Sequence, residues 1–270
     1  MKNVVVLVWH SLRRFAGLLL ATGLLLCAFQ ILMVQVAAYL ERTRAFSQFA
    51  LLFPQFVREI MGPAFFAMLS FAGVVSLGYF HVAVLSALTG VVIAAATEPA
   101  AEMESGFADL VLASPVRRHV PITRTVIVLL VAVAALLGAM VVGTYAGLAL
   151  LAPTDNTVVP RAMLAGLSAN LAALLLSWGG IALAAGAYCR RRGTAGAFIG
   201  VLALAGYLLV YLGQLWHPAE KISHLSPFYY YRYFRQVMGE PFPLRDISVL
   251  IGVALAGILV AYVVYARRDL

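Results

Sequence analysis

Charged side chains are scarce in this sequence. Only 11% of the 270 residues are Asp, Glu, Lys or Arg, whereas 63% are hydrophobic. A soluble domain usually carries about 25% charged residues, so this composition excludes an ordinary soluble fold. The sequence indicates an integral membrane protein.

Lysine is rare as well, and the familiar catalytic motifs are missing. Neither of the two lysines, Lys2 and Lys221, lies in a G-x-x-x-x-G-K-[ST] loop, which cradles nucleotide phosphates. The sequence has no G-x-S-x-G, H-E-x-x-H or C-x-x-C motif. We therefore expect no enzyme activity and no bound cofactor in this chain. ATP hydrolysis, if the protein depends on it, has to occur in a partner.

Six hydrophobic runs are long enough to cross a bilayer as helices, which requires about 20 apolar residues each. They lie at residues 15–38, 64–97, 125–152, 162–188, 196–215 and 247–266. We predict an all-α polytopic membrane bundle of six transmembrane helices, forming a single domain over residues 1–270. Within these bounds the runs contain no Asp, Glu, Lys or Arg. Pumps and coupled transporters need such charges at membrane depth, so this chain has no driving machinery of its own.

His81 and Asn170 are the main polar residues within the six runs. A proton relay at membrane depth requires an ionisable group, and His81 is a candidate for one. A lone histidine on a long apolar helix is more often a packed, hydrogen-bonded side chain. We predict that role for His81.

Glycine pairs in the third and fifth runs permit close helix packing. Gly143 with Gly147, and Gly196 with Gly200, have the G-x-x-x-G spacing that lets membrane helices approach each other closely. Packing inside one subunit explains such pairs, and a dimer seam is the alternative.

Basic residues cluster beside the runs and predict the orientation of the chain. The positive-inside rule places loops rich in Lys and Arg on the cytoplasmic side. Four regions share that side: before run one (Lys2, Arg13, Arg14), between runs two and three (Arg117, Arg118, Arg124), between runs four and five (Arg190, Arg191, Arg192) and after run six (Arg267, Arg268). We expect a multi-pass protein of the bacterial cytoplasmic (inner) membrane with both termini in the cytoplasm. Bilayer orientation also explains the net charge of +8, so we expect no nucleic-acid partner.

An acidic segment separates the second and third runs. We predict a cytoplasmic helix over residues 97–113, capped by Thr97, with Pro99 in its first turn and Ser114-Pro115 after its end. One face of this helix is apolar and its flank is acidic. Because the inner leaflet is anionic, an acidic helix is repelled from lipid. The pattern therefore predicts a protein partner for this segment.

An aromatic cluster precedes the last run. Residues 227–234 contain six aromatic side chains in eight positions. This density is typical of an interfacial belt at the membrane surface, with substrate contact as the less favoured alternative.

The acidic segment resembles one family in detail. The pattern E-x-E-x-G, a hydrophobic run, S-P-V-x-R and a basic residue at the next span is similar to the permease subunits of type-2 ABC exporters. LSPFYYY at 225–231 and ARRDL at 266–270 are similar to that family's last outer loop and terminus. WHSLRRF at 9–15 resembles its N-terminal interfacial elbow helix.

This resemblance implies a function and a set of partners. Residues 98–118 would be the coupling helix, which docks on an ATP-binding subunit through Glu102, Glu104, Gly106, Phe107, Leu110, Pro115 and Arg118. The aromatic cluster would supply an external gate, formed by Phe228, Tyr229, Tyr230, Tyr231, Tyr233 and Phe234. The expected partners are two ABC ATPase subunits, which hold ATP and Mg, a second permease copy or a homologous permease, and the lipid bilayer.

A second hypothesis assigns the same subunit a mechanical role. It would pass ATPase motion to an external protein without carrying a solute. Because such transducers need a large outer domain and the outer loops here have only about 20 to 30 residues, we favour the exporter.

Overall fold

The computed structural model describes residues 2–44, 68–106, 119–152 and 159–267. In this part of the chain six segments are long and apolar enough to cross a membrane. They are Val5–Arg42, Phe71–Ala96, Val120–Leu151, Arg161–Tyr188, Arg192–Gly213 and Leu244–Ala266. These residues form helices and no strands, which confirms the predicted all-α bundle and its six spans.

The helices are numbered in chain order. They are α1 (Lys2–Arg42), α2 (Phe71–Phe80), α3 (Val82–Ala96), α4 (Glu98–Glu104), α5 (Val120–Leu151), α6 (Arg161–Tyr188), α7 (Arg192–Gly213), α8 (His217–Ser223), α9 (Tyr233–Val237) and α10 (Leu244–Ala266). A 3-10 helix, Pro227–Tyr230, lies between α8 and α9.

Several helices differ from the predicted runs. The second span is broken into α2 and α3 at His81, whose backbone is extended with ψ 133°. The third begins at Val120, so Arg124 lies inside α5, although the predicted runs contained no charge. The predicted elbow, residues 9–15, is part of the continuous helix α1. Hydropathy detects the apolar centre of a span, whereas hydrogen bonding continues the helix through polar residues at its ends.

Helix α6 lies at the centre of the bundle. It packs along α10 and also contacts α3 and α5, and most of its residues are buried. Gly180 of α6 faces Gly257 and Ala254 of α10 so closely that a Cβ atom added at Gly257 would lie 2.4 Å from the Gly180 carbonyl carbon. Small residues at this crossing let the two backbones touch.

Helix α1 pairs with α5, and one of the predicted glycine pairs makes this contact. A Cβ atom added at Gly143 would lie 2.5 Å from the Cys27 oxygen, and one at Gly147 would lie 2.9 Å from the Val34 Cβ. The Gly143–Gly147 pair therefore packs inside one subunit, as predicted.

The two ends of the bundle have different side chains. At one end, which we call the α4 end, α4 contacts α5, α6 and α7. The hydroxyls of Thr123 in α5 and Tyr262 in α10 lie 2.8 Å apart near this end. The opposite end, which we call the aromatic end, carries α8, the 3-10 helix and α9. The start of α1 and the end of α10 share the α4 end, because six spans return the chain to the side on which it began.

Candidate functional site

A buried charge cluster lies at the α4 end. Arg124 of α5 donates from Nη1 to Oε1 of Glu102 in α4, and its Nη2 lies 3.6 Å from Oε2 of Glu98. Only 3% of the Arg124 side chain is exposed, against 4% for Glu98 and 8% for Glu102. Positions 98 and 102 share one helix face because they are four residues apart. One guanidinium therefore holds both acids and fixes α4 to the start of the third span.

The cluster carries more negative than positive charge. Burial raises the pKa of the Glu98 carboxyl above its ordinary value, and the neighbouring Glu102 acts in the same direction. Arg124 opposes this shift most strongly, and Ser11 and Arg14 of α1 oppose it less. The ionised form of Glu98 therefore depends mainly on the Arg124 charge.

Arg192 connects α4 to two further helices. Its backbone N–H donates to Oε2 of Glu104 over 2.9 Å, and its Nη2 donates to the Ala94 oxygen of α3 over 2.9 Å. The guanidinium also lies 5.7 Å from the ring centroid of Phe15 in α1. Through Arg124 and Arg192, the short helix α4 is connected to the ends of α1, α3, α5 and α7.

The predicted helix 97–113 is shorter in the structure. Helix α4 ends at Glu104, and Gly106 has a φ of 71°, a left-handed conformation that ends a helix and favours glycine. Pro99 lies in the first turn, as predicted. Thr97 does not cap the helix, because its hydroxyl donates back to the Ile93 oxygen over 2.9 Å. Phe107, Leu110, Pro115 and Arg118 lie outside the described residues.

Arg124 is the site residue that the sequence analysis missed. It was assigned to the basic cluster that orients the chain, whereas the structure places it between two acids. A signal was present: Glu98 and Glu102 have the four-residue spacing of one helix face, and Arg124 follows within a single loop. Which arginine of that loop pairs with the acids depends on the packing of α5 against α4.

A groove between α3 and α7 runs between the two ends of the bundle. It consists of adjoining cavities of about 540, 390 and 410 Å³, in order from the aromatic end to the α4 end. The first two share Leu85, Tyr207 and Phe228, and the last two share Gly90, Ile93 and Gly200. The middle cavity is lined mostly by apolar side chains, and Ser86, Thr89 and Tyr207 are its hydroxyl-bearing members.

Four glycines leave open space in this groove. A Cβ atom added at any of them would meet nothing within 4 Å: Gly90, Gly193, Gly196 and Gly200. The second predicted glycine pair, Gly196 and Gly200, therefore makes no close contact with the described residues of this chain. Helix α7 is also largely exposed, since Ala195, Ile199 and Ala203 are its buried residues.

The predicted gate residues lie at the aromatic end of the groove. Five of the six line the 540 Å³ cavity, namely Phe228, Tyr229, Tyr231, Tyr233 and Phe234. The ring of Tyr230, the sixth, lies 5.3 Å from that of Tyr229 in an edge-on contact. Phe228 lies with its ring centroid 5.5 Å from both Trp178 of α6 and Tyr207 of α7. This aromatic segment (residues 227–234) lines one end of the groove.

Tyr231 is the buried member of the aromatic segment. It is 5% exposed, and its hydroxyl donates to the backbone oxygen of Tyr79 in α2 over 3.0 Å. Burial raises the pKa of this hydroxyl above its ordinary value, so Tyr231 remains a protonated donor. Next to it, the ring of Tyr233 stacks on Phe80 of α2 at 4.1 Å.

His81 lies at the surface of the bundle, beside the break in the second span. Its Nδ1 accepts a hydrogen bond from the Ala83 N–H over 3.3 Å, and its ring centroid lies 5.4 Å from that of Phe29. The side chain is thus hydrogen-bonded, as predicted, but it is exposed rather than packed in the interior.

A family model matches most of the chain. Residues 20–266 match the model described as "Multidrug efflux system permease Rv1217c, C-terminal domain". No curated protein sequence and no solved structure is significantly similar to the chain. The match confirms the resemblance to an exporter permease subunit that the sequence motifs indicated. The chain therefore belongs to the multidrug efflux permease family represented by the C-terminal domain of Rv1217c.

Proposed function

We propose that this chain is the membrane-spanning subunit of an ATP-binding cassette exporter. Two copies, or this chain and a homologous one, form the pathway, and two separate ATPase subunits drive it. The α4 end is cytoplasmic and the aromatic end is external. Residues 98–118 form the coupling segment, and substrate moves along the groove between α3 and α7 towards the aromatic segment.

The observation that carries this proposal is the groove itself. Its cavities adjoin from Arg192 and Gly193 at the α4 end to Tyr229 and Phe234 at the aromatic end. If a second subunit forms the other wall of the pathway, the groove has to be open on the side facing that subunit. The exposed side of α7 provides this opening. Gly193, Gly196 and Gly200 have no side chains, so the part of the groove near the α4 end is open.

The lining of the groove favours apolar or amphiphilic compounds. The middle cavity has three hydroxyl-bearing side chains, those of Ser86, Thr89 and Tyr207, and no charged side chain among its lining residues. A strongly polar solute would lose its hydration there without gaining enough hydrogen bonds in return. The multidrug description of the family is consistent with this chemistry.

The contacts of α4 support its role as the coupling segment. Glu102 and Glu104 bind Arg124 and Arg192 within the chain, so they position the segment, and we assign the docking on the partner to the residues after Gly106. A displacement of α4 would move the starts of α5 and α7 together. Shifts of rigid helices between two packed arrangements are a common mechanism of conformational switching in proteins.

Filling the groove should block export. In Gly200→Leu, the new side chain enters open space between the middle cavity and the cavity at the α4 end, and leucine favours the helix more than glycine does. We expect efflux of a lipophilic dye from cells to fall about tenfold, which corresponds to about 1.4 kcal/mol of added barrier. Gly252→Leu is the matched control, since its added Cβ also meets nothing within 4 Å but it lies on α10. Equal efflux by the two variants, at equal amounts in the membrane, would contradict the pathway.

Introducing a charge into the apolar part of the coupling segment should abolish binding of the ATPase. We expect Phe107→Asp to insert into the membrane normally. When it is purified from the membranes in which it was expressed, the variant should carry no co-purifying ATPase activity, whereas the unchanged chain should carry it. Burying a carboxylate in an apolar contact is costly, so binding should weaken by at least about a hundredfold. Phe242→Asp is the control, because Phe242 is an exposed phenylalanine at the aromatic end. Retained ATPase activity in Phe107→Asp would exclude this docking site.

A further inference from the structure

The break in the second span leaves a backbone carbonyl without its helical donor. In a continuous helix the Ala83 N–H would donate to the Tyr79 oxygen, four residues earlier. Here the Ala83 N–H donates to Nδ1 of His81, and His81 has an extended backbone. A carbonyl within a membrane-spanning segment needs another donor, because lipid offers none.

The aromatic segment supplies that donor. The hydroxyl of Tyr231, 152 residues away in sequence, donates to the Tyr79 oxygen over 3.0 Å in a buried environment. Tyr233 stacks on Phe80 with an interplanar angle of 14°, directly beside the break. Two residues of the aromatic segment therefore contact the last two residues of α2, Tyr79 and Phe80.

The two halves of the broken span have different attachments. Helix α2 is held by its neighbours, since the Tyr79 hydroxyl is hydrogen-bonded to the Thr144 hydroxyl of α5 at 3.1 Å. Gln30 of α1 also packs against the Gly78 backbone. Helix α3 packs against α5 and α6, and it leads through the single residue Thr97 into α4. A force applied at α4 acts on α3 first, and the break at His81 is the point where α3 can turn relative to α2.

We propose that Tyr231 is a positioning residue that couples the bend at His81 to the position of the aromatic segment, which lines the 540 Å³ cavity. Its hydroxyl holds the aromatic segment in place while the span is bent. When α3 straightens onto α2, the Ala83 N–H returns to the Tyr79 oxygen, which then no longer depends on the Tyr231 hydroxyl for a donor. The contact that holds the aromatic segment beside the 540 Å³ cavity is thereby weakened. The inference rests on the proposed function, in which α3 moves with α4.

The coupling can be measured by hydrogen–deuterium exchange on the full-length chain in lipid nanodiscs. Tyr231→Phe removes one hydroxyl and keeps the ring. We expect amides of the aromatic segment to exchange about tenfold faster, as the loss of one buried hydrogen bond predicts. Tyr230→Phe is the matched control, since it removes a neighbouring hydroxyl and leaves the Tyr231–Tyr79 hydrogen bond intact. Unchanged exchange in Tyr231→Phe overturns the proposal.

A second variant tests the coupling from its other side. His81→Ala removes the acceptor of the Ala83 N–H and so favours the straight helix. We expect faster exchange in the aromatic segment even though Tyr231 is unchanged. A response confined to residues 78–85 overturns the proposal, because Tyr231 would then be a local packing contact. Neither measurement needs ATPase or substrate, so the result is independent of whether the chain exports a compound.

Discussion

Arg124→Met is expected to lower the free energy of unfolding by about 3–5 kcal/mol, the range measured when one partner of a buried ion pair is removed. The substitution keeps much of the side-chain volume, but Glu98 and Glu102 remain buried with no guanidinium between them. Such a loss should lower the midpoint of thermal unfolding in detergent by about 10 °C. The midpoint can be measured by the intrinsic fluorescence of the purified protein during heating.

Neutralising the whole cluster should restore most of this stability. A triple variant with Met at positions 98, 102 and 124 buries no charge, and replacement of a complete buried set by apolar residues is often neutral. Arg161→Met is the control for the loss of one arginine, because Arg161 is exposed at the start of α6. If the triple variant unfolds as early as Arg124→Met, the cost does not come from uncompensated carboxylates.

The charge cluster also explains how α4 could act on several spans at once. Arg124 joins it to α5, and Arg192 joins it to α3 and α7. The groove lies between α3 and α7, so both of its walls begin next to α4. A movement of α4 towards or away from the bundle axis would change the width of the groove at that end.

The six spans were predictable because the length of an apolar run maps directly onto bilayer thickness. The break at His81 was not. The second run has no proline, and the bend depends on Nδ1 of His81 and on Tyr231, whose partner lies 152 positions away. Local sequence patterns report neither contact.

The glycine pairs show the same limit at the level of packing. Spacing alone predicted close approach for both, yet Gly143 and Gly147 contact α1 while Gly196 and Gly200 face open space. A very close backbone crossing among the described residues, between Gly180 and Gly257, joins one glycine from each of two helices that the spacing did not single out. This crossing exists because α6 and α10 are neighbours in the fold, and glycine spacing within one helix does not report which helices are neighbours.

Gly257→Ala is therefore expected to destabilise the bundle by about 3 kcal/mol, at the upper end of the usual cost of overpacking. The added Cβ would lie 2.4 Å from the Gly180 carbonyl carbon and 2.9 Å from the Ile181 nitrogen. Both are backbone atoms, so no rotamer change relieves the contact, and α10 has to move away from α6. The thermal unfolding midpoint and the amount of folded protein in the membrane should both fall.

The control is Gly252→Ala on the same helix, where the added Cβ meets nothing within 4 Å. We expect it to be neutral or slightly stabilising, since alanine favours a helix over glycine. Gly180→Ala directs its Cβ at the Ala254 oxygen, 2.5 Å away, and strains the same crossing. Once the helices have separated for one substitution, the second adds little, so the double variant should lose less than the sum of the single losses. Strict additivity would mean that the two glycines do not share one contact.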